Sequence, residues 1–241
     1  MNFLDFLKGI FNTQALPSAT LPATPARKLI PAVNHGELYI ASHLVDIELE
    51  AVDFTQRFGP DFNAFVYQPD VANFIRQQVL SFRYPGVQHV ECLDTSHWQE
   101  IHYLNFPGPF YTGNSDTCDT GPYEAPNNVL RDNHAMEFVF QQPQNFTEFL
   151  CTLDAAAIEV LDSYSCDGNE HWTYRLCREW WRSKAEIIRR LSTPAFHETN
   201  GSRTQLYIDY LNGAAETDLR KYCYFLENGH YPTESDTLPP L

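Results

Sequence analysis

Asp116, Cys118, Asp119, His134 and Glu137 form the densest run of residue types that could bind a metal or activate a nucleophile. Zinc sites want ligands in short, fixed, paired spacings, and no pair here has one. A calcium-binding EF-hand loop needs acids at alternate positions and a closing glutamate, which is also missing. The expected role of these Asp and Asn side chains is to hold their own backbone in turns. Cys118 is a conceivable nucleophile with His97 or His134 as its base. The flanking Asp116 and Asp119 work against that by raising a thiol pKa. Glu100 and His102 would share one face of an extended segment, an arrangement able to exchange protons. Together with His97 and His134 they make the candidate site of an enzyme reading, a hydrolase-like activity beside the loop 106–128. The chain has no GxGxxG, P-loop, nucleophile elbow or HExxH motif, and no cofactor or metal is expected.

Binding chemistry has more material. Of the 241 residues, the stretch Gly36 to Ser165 holds 19 acids against four arginines and no lysine, which equals the whole net charge of −15. Residues 1–35 carry one acid and three bases, and residues 166–241 carry 11 acids and nine bases. Such a field repels phosphates, so direct nucleic-acid binding is not expected. It attracts a cationic protein and speeds its capture at low salt. The alternative is that the acids only keep the chain soluble. In the second half Arg175, Arg178, Arg182 and Arg189 recur along a helix, as a solvated stripe or as internal partners for the acids.

The elements that must position these groups follow from periodicity. Residues 1–11 suit a short amphipathic helix with Phe3, Leu4, Leu7, Ile10 and Phe11 on one side. Its docking site is the parent domain, a second copy of the chain or, least favoured, a membrane surface. Residues 12–35, with Pro17, Pro22, Pro25 and Pro31, read as a tether. From residue 36 a single α+β domain is expected. Val45, Ile47, Leu49 and Ala51 alternate with Asp46, Glu48 and Glu50, which predicts a strand with a carboxylate roughly every 7 Å along its wet face. Further strands are predicted over 63–67, 87–93, 97–106 and 136–141, and helices over 70–82, 146–164, 170–191, 205–211 and 218–226. Between them, 106–128 is rich in Pro, Gly, Asn and Asp and reads as a long loop presenting Phe110, Tyr111 and Tyr123. The tail from Gly229 reads as loose. The predicted fold is therefore a mixed or antiparallel sheet from the middle of the chain packed against C-terminal helices.

The six cysteines show no CxxC and no regular spacing, and they read as buried small hydrophobes of a reducing, cytoplasmic compartment. No apolar run is long enough to span a bilayer. The sequons at Asn145 and Asn200 read as chance. In size, acidity, scattered thiols, α+β make-up and lack of a catalytic motif, the chain resembles bacterial immunity proteins in character. The resemblance implies an inhibitor that covers the active site of a basic toxin. On that reading the contacts are Asp46, Glu48 and Glu50 from the strand, and Asp116, Asp119, Tyr123 and Glu124 from the loop. A third reading is an assembly protein that self-associates through residues 1–11.

Overall fold

A computed structural model describes residues 35–85, 92–115 and 119–241, the first eleven of them as backbone only. The expected N-terminal helix, its tether, most of the expected strand 87–93, and Asp116 and Cys118 lie outside the described residues.

Helix α1, His35–Phe58, opens the described body. It replaces the expected strand over 45–51. Ile47 and Ala51 are four residues apart, so they satisfy a period of two and a helical period equally. Phe54 and Phe58 continue only the helical ladder. Leu49, which a strand would have buried, is 67% exposed. A short helix α2, Phe62–Val66, likewise stands where a strand was expected at 63–67; Asp61 caps it through the Ala64 N–H at 3.0 Å. The expected helix over 70–82 is present as α3, Val71–Phe74, a π-helical turn, Ile75–Val79, and α4, Leu80–Arg83. Helix α6, Phe146–Ile158, starts at an Asn145 cap and packs along α1. Their shared core is aromatic: Phe54 lies between Phe58, Phe82, Phe146 and Phe149, and Phe65 meets Phe146 and Phe149 at 4.9 and 5.1 Å.

The middle of the chain is α+β but sparing in strand. Strands β1, Tyr111–Thr112, and β4, Tyr164–Ser165, pair antiparallel, as do β2, Val129–Arg131, and β3, Glu137–Val139. The segment 97–106 is a 3-10 turn at Trp98–Glu100 followed by irregular chain rather than a strand. The expected loop 106–128 is largely core: Phe106, Phe110, Tyr111 and Ala125 are buried, and α5, Gly121–Glu124, interrupts it. Buried side chains supply the hydrogen bonds that a regular sheet would have made. Asn105 receives the N–H groups of Thr112 and Val139 at 3.2 and 2.8 Å and donates to the carbonyls of His102 and Thr112, both at 2.8 Å. Gln142 donates to the carbonyls of Phe106 and Phe110 and accepts from the Phe110 N–H. Gly108 is required there, because a Cβ would sit 2.3 Å from the Gln142 side chain.

The C-terminal third is helical, as expected, but more segmented. The run 170–191 divides into α7, Gly168–His171, α8, Tyr174–Arg182, and α9, Lys184–Leu191, with Thr173 capping α8 through the Leu176 N–H at 3.2 Å. Helices α10, Pro194–Asn200, α11, Arg203–Asn212, and α12, Ala215–Asn228, follow. The tail is not loose. Tyr231 stacks on Tyr67 at 4.5 Å, Arg220 donates to the carbonyls of Leu238 and Pro239, and the Tyr174 hydroxyl donates to that of Pro240. No helix among the described residues is long and apolar enough to cross a membrane.

Candidate partner-binding surface

Because 45–51 is helical, Asp46, Glu48 and Glu50 point in different directions instead of forming one row. Asp46 and Glu48 are exposed and have no partner among the described residues. Glu50 turns inward to Arg83, which it holds through two bonds of 2.9 and 3.0 Å, while Asp154 of α6 takes the same guanidinium at 2.8 Å. Burial disfavours the charge on Arg83, but Asp154 and then Glu50 outweigh it and raise its pKa. Of the loop residues, Asp119 is ion-paired with Arg131, Glu124 is buried, and Asp116 is not among the described residues. Tyr123 is 48% exposed on α5, which packs against both α1 and α6.

The residues of the enzyme reading fall into internal pairs. His97 puts Nδ1 at 2.7 Å from a Glu100 carboxylate oxygen and Nε2 at 2.6 Å from the Asp162 carbonyl. Both ring nitrogens are thus occupied by partners within the fold. His102 accepts the Leu104 N–H at Nδ1 and faces Asp132 at 3.4 Å through Nε2, with its ring stacked on Phe138. The Asp132 carboxylate also receives the backbone N–H groups of His134 and Met136. Burial raises its pKa, but these donors prevail and it is lowered. Among the described residues no three His, Cys, Asp or Glu side chains are grouped to hold a metal ion.

A serine–histidine–aspartate grouping that the sequence did not suggest occurs at Ser96, His171 and Asp167. Ser96 Oγ and Asp167 Oδ2 lie 3.2 and 3.1 Å from the same nitrogen, His171 Nε2. A charge-relay arrangement places the acid and the hydroxyl on opposite nitrogens, so one bond to Nε2 excludes the other. Asp167 is better described as a buried acceptor that gathers donors. Tyr111 donates to it at 2.6 Å, and with Ser96 and His171 it offsets the burial that would raise the acid's pKa, leaving that pKa lowered.

The arginine stripe stays local: Arg175 pairs with Glu179, and Arg189 with Glu186. It therefore leaves Asp46, Glu48 and Asp53 without a partner among the described residues. What the sequence reading missed is apolar. Leu49 and Val52 are 67% and 53% exposed on the same outward side of α1 that carries Glu48 and Asp53. Beside Val52 a groove of about 490 Å³ runs between Glu48, Ala51, Thr55, Phe62 and Phe146. Comparison with protein-family models, curated proteins and solved structures found no match. The arrangement on α1, two aliphatic side chains among unpaired carboxylates, has the composition of a protein-binding face with an apolar centre and a charged rim.

Proposed function

We propose that the protein is a protein-binding inhibitor of the immunity-protein kind, which captures a basic partner on the outward face of α1 and covers that partner's active site. One observation carries the reading. Asp46, Glu48 and Asp53 are exposed and unpaired among the described residues, and they surround Leu49 and Val52. Carboxylates at the rim steer a cationic protein into place, and desolvated aliphatic side chains retain it. Tyr123, on α5, offers a further exposed amphipathic ring.

The test is affinity capture from the native host with the wild-type protein and with the charge-reversed variant Asp46→Lys, Glu48→Lys, Asp53→Lys, each washed at increasing salt. The expected result is a basic protein that the wild type retains, the variant loses and rising salt elutes. Identical sets of retained proteins for the two baits, at every salt concentration, would refute the proposal.

A further inference from the structure

Three large aliphatic side chains stand in four residues that span the last residue of α6 and the chain just beyond it. Ile158 is 45% exposed, Val160 76% and Leu161 59%. Single exposed aliphatics are ordinary on a soluble domain, whereas three at one place are not. The loop carrying them is fixed. Buried Glu159 accepts the N–H groups of Leu161 and Ser163 at 3.0 and 2.9 Å. His97 donates to the Asp162 carbonyl at 2.6 Å, and Gly113 donates to that of Ser163 at 2.9 Å. Strand β4 begins at the next residue. With its backbone tied on both sides, the loop cannot turn Val160 and Leu161 inward. Groups held in place before a partner arrives lose little freedom on binding.

The loop also stands beside the acidic face. Helices α1 and α6 run antiparallel: Phe54 meets Phe146 and Phe149 near the start of α6, and one turn earlier Glu50 shares Arg83 with Asp154. One more turn along each helix brings Asp46 level with Ile158. We infer that Ile158, Val160 and Leu161 are the apolar anchor of a docking surface for a basic amphipathic segment of a partner protein, with Asp46 on its anionic border. The inference rests on the proposed binding of a basic partner, and charge complementarity decides the occupant. An acidic or neutral amphipathic segment would meet unpaired carboxylates with nothing to offer them.

The test uses the full chain and a labelled helical peptide of leucine and lysine, followed by fluorescence anisotropy. The same peptide with glutamate for lysine is the control. Val160→Ser with Leu161→Ser is expected to weaken binding about ten-fold or more, the loss that follows removal of an interface anchor, with an unchanged melting temperature because both side chains are exposed. Asp46→Asn with Glu48→Gln is expected to weaken it and to flatten its salt dependence. If the charge variant weakens binding and the serine variant does not, the anchor is wrong while basic-partner capture stands. If neither variant matters, or the glutamate peptide binds equally, both fall. A dimer in sedimentation that the serine variant dissolves would make a second copy the occupant and overturn the inference. So would displacement of the probe by a peptide of residues 1–11 that binds more tightly than the probe does.

Discussion

Replacing Arg83 with alanine tests whether Glu50 belongs to the interior or to the binding face. The Arg83 side chain is only 7% exposed, and its partners Glu50 and Asp154 are 30% and 19% exposed. Removing one member of a buried, hydrogen-bonded ion pair costs about 3–5 kcal/mol, because the other charge is left without compensation. Here two carboxylates are stranded, but both lie near enough to water to recover part of their hydration. The lower end, about 3 kcal/mol, is therefore expected. For a domain of this size that is a fall of about 6–12 °C in melting temperature. Circular dichroism melts at neutral pH measure it. Arg83→Lys should recover only part of the loss, since an ammonium cannot hold Glu50 through two parallel bonds. Arg83→Met with Glu50→Gln and Asp154→Asn should recover more than Arg83→Lys, since no charge is then left unpaired. If Arg83→Ala melts within about 2 °C of the wild type, less than 1 kcal/mol by the same scaling, the triad contributes nothing to stability. Glu50 would then return to the exposed acidic face.

Asn105→Ala removes the side chain that bridges Thr112 to Val139 and strands buried N–H groups on both, so a loss of about 3 kcal/mol or more in urea unfolding is expected; an unchanged midpoint would mean that β1 and β3 are held together without it. The pKa of Asp167 is lowered in the fold, so its contribution is present above the unfolded value of about 4 and disappears as pH falls through the folded one. Urea stability should therefore drop below about pH 4 in the wild type and less steeply in Asp167→Asn; parallel curves would refute the assignment. Burial pushes the thiols of Cys92, Cys151 and Cys166 up to about 12. Peptide mapping after iodoacetamide treatment of the native protein at about pH 8 should find all three unmodified, and alkylation of any of them under native conditions would show that its segment opens.

Helix was legible where the apolar ladder ran long, as over 218–226 and the first part of the expected 146–164, which ends at Ile158, and failed where two periods coincide. Ile47 and Ala51 fit strand and helix alike, and the deciding residues, Phe54 and Phe58, lay beyond the window that showed the alternation. The segmentation of 170–191 had a visible signal in Thr173 and Ser183, hydroxyl residues at the starts of α8 and α9, of which Thr173 makes the side-chain cap. The segment 106–128 was misjudged because its prolines and glycines outweighed Phe106, Phe110 and Tyr111, which are core residues. Nothing local marks the apolar loop 158–161 as exposed; Val160 and Leu161 follow the periodicity of α6 past its end. The charge excess was plain, but its pairing was not, since Glu50 meets Arg83 and Asp119 meets Arg131.

Part of the acidity in the middle of the chain serves backbone that has no regular partners. Between residues 92 and 146 the backbone has few ladder partners, and its N–H groups need acceptors. Carboxylates supply them. Glu137, fully buried, accepts the Gly121 N–H at 2.9 Å and the Tyr164 hydroxyl at 2.6 Å, and Asp132 accepts two backbone N–H groups. Further along, Glu159 does the same for Leu161 and Ser163, and Glu148 accepts the Gln144 N–H. These four carboxylates are therefore engaged by the fold itself. Helix α1 is different. Its backbone is satisfied by its own hydrogen bonds, so Asp46, Glu48 and Asp53 have no donor to hold among the described residues. Self-repulsion between such charges opposes folding slightly, and nothing within the described fold offsets it. A carboxylate that caps a turn is accounted for by stability alone; these three are not, which is why the proposed function assigns them to a partner.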